Sequence, residues 1–154
     1  MKKKFATSCF LLLALLLGGC QTAGGGRMSL FSATAPVVAI LYDDLLLGEA
    51  VGYMDRTGTI SIQSAINPTL RCVGEFRYTG SRTGVANLRC NDGTEAKLSF
   101  NALSSLSGYG YGATSRGPAS FTFGLTAEES SRYLTLPSNK QIIRTPEGPR
   151  LKDI

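Results

Sequence analysis

Histidine, the usual general base and a frequent metal ligand, does not occur anywhere in this 154-residue chain. Ser-His-Asp and Cys-His nucleophilic machinery are therefore excluded. No Ser-x-x-Lys spacing replaces them downstream of residue 20. Four cysteines are present, Cys9, Cys20, Cys72 and Cys90, and a reactive thiolate would require one of them to be free. Carboxylate chemistry survives, with Asp43-Asp44 as the adjacent pair at the start of the body of the chain. Neighbours on a strand point to opposite faces, so these two do not make a shared acid–base pair. They read instead as a polar turn between VVAILY and LLLGEA. The chain is expected to be non-enzymatic, with no catalytic residue, no metal site and no cofactor.

The fate of the cysteines is set by the N-terminus. Lys2, Lys3 and Lys4 precede an apolar run centred on Phe10 to Leu17, which ends in Gly18 and Gly19. That run is too short to span a bilayer comfortably and has the form of an export signal. The tetrapeptide Leu17-Gly18-Gly19-Cys20 resembles the lipobox of bacterial lipoproteins. The resemblance implies cleavage before Cys20, acylation of its sulfur and of the new amino group, and membrane attachment through the lipid. Gln21 in the next position resembles the outer-membrane sorting pattern of that family, so the expected location is the outer membrane, facing the periplasm or the surface. Several acyl chains together hold a protein to a bilayer far more firmly than one. Loss of Lys2 to Lys4 leaves 13 basic against 11 acidic residues, a net charge of only +2 in place of +5. Neither that charge nor the address suits a nucleic-acid partner.

With Cys9 in the signal and Cys20 in the lipobox, Cys72 and Cys90 remain. In an oxidising compartment they are expected to form a disulfide. Register supports the pairing. Placing Cys72 opposite Cys90 in RCVGEFRYTGSRTGVANLRC sets Gly74 against Leu88, Phe76 against Ala86 and Tyr78 against Gly84. Each of those three pairs joins a large residue to a small one, and the leftover loop TGSRT consists of turn formers. At NDG, a three-residue loop with left-handed Gly93 pairs Leu88 with Ala96 and Ala86 with Leu98, which keeps one face apolar. A four-residue turn at DRTG predicts Val51 opposite Ile62 and Tyr53 opposite Ile60. A four-residue turn at SRGP predicts Gly112, Gly110 and Gly108 opposite Phe121, Phe123 and Leu125. A further strand is expected over about Val37 to Tyr42.

One helix is expected, from Ala127 to Leu134, because Thr126 and Glu129 have the spacing of a capping box and Pro137 follows. The elements sum to an all-β fold: an antiparallel meander of about eight strands, curled into a small barrel or flattened sandwich, with one short C-terminal helix. The organisation reads as a signal over 1–19, a lipidated Cys20 with a flexible tether over 20–35, a β domain over 36–136 and a loosely ordered tail over 137–154.

Two surfaces are candidates for a partner. Arg71, Arg77, Arg89 and Lys97 share the outer face of the disulfide hairpin with Glu75 and Glu95, a mixed-charge face able to meet anionic envelope components. Tyr109 and Tyr111 lie on the face opposite Gly108, Gly110 and Gly112, where aromatic rings can stack on sugars or anchor a protein. Ser107-Gly108-Tyr109-Gly110-Tyr111 also resembles the Ser-Gly-x-x-Tyr loop of periplasmic C-type lysozyme inhibitors. That resemblance implies a small antiparallel barrel that presents Ser107 and Tyr111 to a lysozyme cleft. The leading expectation is a non-catalytic lipoprotein whose β domain binds an envelope protein or glycan; lysozyme inhibition and a structural spacer role are the alternatives.

Overall fold

The computed structural model describes residues 27, 28, 30 and 32–154. The signal, Cys20 and most of the tether lie outside the described residues. Strand β1 (Arg27–Met28) adds to the edge of β2 (Ser32–Leu41). From β2 the chain meanders through β3 (Asp44–Tyr53), β4 (Thr57–Ser64), β5 (Arg71–Tyr78), β6 (Thr83–Cys90), β7 (Glu95–Ala102), β8 (Gly108–Thr114) and β9 (Gly117–Phe123). Every consecutive pair is antiparallel, and β9 returns to β2 with Val37 opposite Phe123 and Leu41 opposite Ala119. The eight strands β2 to β9 therefore close into a barrel, which gives each of them two neighbours.

Alternation along each strand fills the lumen. Val37, Ala39, Leu41, Leu46, Ile60, Ile62, Ala86, Leu88, Leu98 and Phe121 belong to one buried cluster with Cys72 and Cys90. The Cys72–Cys90 disulfide is present at the base of the β5–β6 hairpin, and the expected register from Cys72 to Tyr78 holds at each position. The β6–β7 register holds as well, with Gly93 left-handed at φ 87°.

Two hairpins differ from the sequence reading. The β3–β4 loop has three residues, Met54 to Arg56, closed by Arg56 N–H to the Tyr53 carbonyl and by a left-handed Arg56 at φ 67°. Ala50 then pairs with Ile60 and Gly52 with Gly58, so Val51, opposite Thr59, leaves the lumen face. The left-handed residue is an arginine, which the turn signal DRTG does not reveal. The β8–β9 turn is two residues shorter than expected. Thr114 Oγ1 accepts from the N–H groups of Arg116 and Gly117, tightening the chain around Ser115-Arg116. Gly110 then meets Phe121 and Gly108 meets Phe123, a slip of two that preserves the faces.

A second layer covers the outer side of β2, β3 and β9. Helix α1 (Ala127–Ser130) has the expected capping box, with Glu129 N–H donating to Thr126 Oγ1 and Thr126 N–H to Glu129 Oε2. It is one turn long and does not reach Leu134. The chain beyond it is held by side chains: Ser130 Oγ lies 2.6 Å from Thr122 Oγ1 and donates to the Thr126 carbonyl, while Thr135 N–H donates to Ser120 Oγ. Leu134 is buried with Val38, Ile40 and Leu45.

The segment read as a loosely ordered tail carries a hairpin, β10 (Lys140–Thr145) paired with β11 (Gly148–Asp153). Its Ile142 and Leu151 sit opposite one another and pack against the Val38–Ile40–Leu45–Leu134 cluster. Three prolines obscured that alternation. The stretch assigned to the tether ends earlier than expected too, since Ser32 to Ala35 already pair with β3.

Candidate functional site

The barrel is filled at one end and hollow at the other. The filled end holds the disulfide and the turns Tyr42-Asp43, Asn91 to Gly93 and Ser115-Arg116. The opposite end is bounded by the β3–β4, β5–β6 and β7–β8 loops and by the N-terminal segment at Leu30. It contains a cavity of about 340 Å³ lined by apolar side chains, among them Ala35, Ala50, Ile60, Phe76, Phe100 and Phe121.

Glycines explain why this end is hollow. Phe76 lies where a Cβ on Gly58 would stand, Phe100 where one on Gly84 would stand, and Phe123 where one on Gly108 would stand. Each ring is thus laid into space that a glycine on the neighbouring strand leaves vacant. Edge-on contacts knit the rings into one sheath: Phe76–Phe100 at 6.0 Å, Tyr78–Phe100 at 5.0 Å and Phe100–Phe123 at 6.0 Å between centroids. Gly52 is different. A Cβ there would meet Phe76 at 3.5 Å, an ordinary contact, so this cavity-lining position has room for one.

The opening of the cavity is largely apolar, and two arginines stand in the loops at this end. Leu30, Tyr53 and Met54 are 86%, 46% and 77% exposed and all line the opening. The Arg56 guanidinium sits 5.0 Å from the Tyr78 ring centroid and donates to the carbonyls of Gly80 and Ser81. Arg82 donates to the carbonyls of Ala102 and Leu103 at 2.9 and 2.7 Å. Among the described residues the ion pairs are Arg89–Glu95, Arg116–Asp92 and Lys140–Asp153, so neither Arg56 nor Arg82 has a carboxylate partner. Asp55 is turned into its own loop by Thr57. Burial of Tyr78 raises its phenol pKa, and Arg56 partly offsets this.

The candidate residues from the sequence fall outside this cavity. Tyr109 and Tyr111 are on the outer wall, 5.7 Å apart, and Tyr133 from the segment after α1 stacks on Tyr109 at 4.8 Å. Three rings therefore form one stripe, with Tyr111 45% exposed at its open end. Burial and the two neighbouring phenols raise the Tyr111 pKa. Gly108 to Tyr111 lie along β8, while Ser107 sits in the preceding loop with its hydroxyl 2.7 Å from that of Ser104. Arg71, Arg77, Arg89 and Lys97 are exposed on the outer hairpin face, and Arg89 is already engaged by Glu95 at 2.7 Å. Asp43 and Asp44 line a depression at the filled end together with Asp92 and Arg116. Partial burial raises the Asp44 pKa. Cys20 lies outside the described residues.

The cavity itself was missed by sequence reasoning. Its signal lies in the large-to-small pairs, which fix register and also decide where the large side chains leave space. No family model matches the chain, and comparison with curated proteins and with solved structures gives no match either.

Proposed function

We propose that this protein is a non-catalytic outer-membrane lipoprotein, held by acyl groups on Cys20, whose disulfide-braced barrel binds an envelope partner, protein or glycan. The observation that carries the binding part is the aromatic stripe Tyr111–Tyr109–Tyr133. Its rings come from two distant parts of the chain and present a continuous, partly exposed face of the size that stacks on sugars or anchors a protein loop. The anchor part rests on the Leu17-Gly18-Gly19-Cys20 motif.

The test is a photo-crosslinking residue in place of Tyr111 in the exported, full-length chain. The reading expects one saturable adduct with an envelope component, lost when Tyr109 and Tyr133 are replaced by Ala. Diffuse labelling, insensitive to those replacements, contradicts it. Inhibition of lysozyme would use Ser107 and Tyr111 on this same side of the barrel. Lysozyme turnover unaffected by excess protein removes that alternative.

A further inference from the structure

The hollow end of the barrel belongs to a different surface from the tyrosine stripe, and its chemistry selects a different ligand. We infer that the cavity takes the tail of a single-chain anionic amphiphile, with the acyl chain inside the aromatic sheath and the head group at Arg56 and Arg82.

Four observations converge. The lining is dominated by Ala35, Ala50, Ile60, Phe76, Phe100 and Phe121, leaving little to satisfy a polar ligand in the interior. A volume of about 340 Å³ lies at the small end of the range for ligand sites and holds on the order of ten groups of water or methylene size. That is room for one chain and not two. The loops at this end supply two guanidinium groups, Arg56 over the ring of the lining residue Tyr78 and Arg82 on the carbonyls of Ala102 and Leu103, neither in an ion pair among the described residues. Finally, the chain enters the barrel at this end, and Leu30, which lines the opening, is ten residues from Cys20. Even fully extended, those residues span at most about 35 Å. If Cys20 carries the anchor, the cavity is held close to a bilayer, where such amphiphiles reside. The inference deepens the anchored-module reading in that last respect alone; the first three observations are independent of it.

The test uses the oxidised full chain carrying Cys20→Ser, so that no acyl group of its own competes, titrated with dodecanoate against an environment-sensitive fatty-acid probe. One saturable site per chain is expected. Gly52→Leu places a side chain in the lumen where the wall has room for its Cβ, and it is expected to weaken binding by about tenfold or more. Ala50→Leu serves as a second lumen-filling variant should Gly52→Leu not retain the thermal transition of the parent.

Replacing Arg56 and Arg82 together by Ala is expected to weaken dodecanoate binding several-fold and to leave dodecanol unaffected. Vesicles of diacyl phosphatidylglycerol are expected not to displace the probe. Absence of saturable binding, or binding insensitive to a folded lumen-filling variant, overturns the site. Equal losses for dodecanoate and dodecanol overturn the head-group assignment, and displacement by diacyl vesicles overturns the single-chain assignment. Because the titration is made without membranes, its failure leaves the crosslinking test of the Tyr111 surface untouched.

Discussion

At Gly84 a single methyl group decides whether Phe100 can lie against the barrel wall. A Cβ there would come within 2.5 Å of the Arg77 carbonyl oxygen and would also overlap the Phe100 ring. Gly84→Ala is therefore expected to cost about 1–3 kcal/mol in urea denaturation, the usual penalty for overpacking. Gly52→Ala, which meets only an ordinary contact, is expected to leave stability unchanged or raise it by up to about 1 kcal/mol. Equal effects at the two sites would mean that the rings do not use the glycine spaces.

Carboxylates act at the same scale. Hydrogen bonds hold the Glu129 carboxyl below its ordinary value, chiefly through Thr126 N–H, and those of Asp55 and Asp92 below theirs, through Thr57 and Thr94. Their folded pKa values are depressed, so their contribution is present above the unfolded values near 3.8 to 4.5 and is lost as pH falls through the folded values. Asp44 works the other way. Its burial raises the folded pKa above 3.8, so its ionisation opposes folding above that range, and protonation relieves this cost. Glu147, bonded by Thr145, and Asp153, bonded by Lys140, are lowered too, and five depressed carboxylates against one raised predict a net fall in melting temperature below about pH 4. Thr126→Ala is expected to flatten that fall. A melting temperature independent of acid contradicts this assignment.

Among the elements, the β5–β6 hairpin and the C-terminal layer contribute in different ways. The disulfide joins residues 18 apart, and closing such a loop in the unfolded chain is worth about 3 kcal/mol. Replacing Cys72 and Cys90 together by Ser is expected to lower stability by about that amount in denaturant titration while keeping the strand signature in circular dichroism. Loss of the fold, not a shift of the midpoint, would show that the bridge does more than shorten the unfolded chain. In the outer layer, Leu134→Ala removes the side chain that joins the segment after α1 to Val38, Ile40 and Leu45. It is expected to cost about 2–5 kcal/mol, and a loss under about 1 kcal/mol would mean that this layer is not part of the cooperative unit.

The elements also show what was legible in the sequence. Where a hairpin had a strong constraint, its register could be read: the two cysteines fixed β5–β6, and Gly93 fixed β6–β7. Where the turn depended on a particular side chain, it could not. Arg56 takes a left-handed conformation that its residue type does not advertise, and Thr114 tightens its turn by accepting two N–H groups. The β10–β11 hairpin escaped notice because its partner surface, the outer face of β2, is assembled only after the barrel has closed. The buried hydroxyls of Ser120, Thr122 and Ser130 escaped for the same reason, since polar residues on a strand read as solvent-facing until another layer covers them.

Considered whole, the molecule is a closed barrel with one filled end, one hollow end and an aromatic stripe on its flank. Closure accounts for its antiparallel meander and for its tolerance of glycine-rich strands, because every wall strand has two neighbours. The tyrosine stripe was half visible in Tyr109 and Tyr111, whereas Tyr133 joins it only through the fold. The cavity depends on four phenylalanines and three glycines drawn from the six strands β4 to β9, a juxtaposition that no single stretch of sequence contains. What would unite these surfaces in one functional account is the proposed attachment to the envelope, and the anchor is therefore the feature to measure. Intact mass spectrometry of the protein extracted from membranes reads it directly. The account predicts a chain beginning at Cys20, heavier than its amino-acid mass by a diacylglycerol group and, when the amino group is also acylated, a further acyl group. A chain of unmodified mass with a free thiol at Cys20 contradicts it.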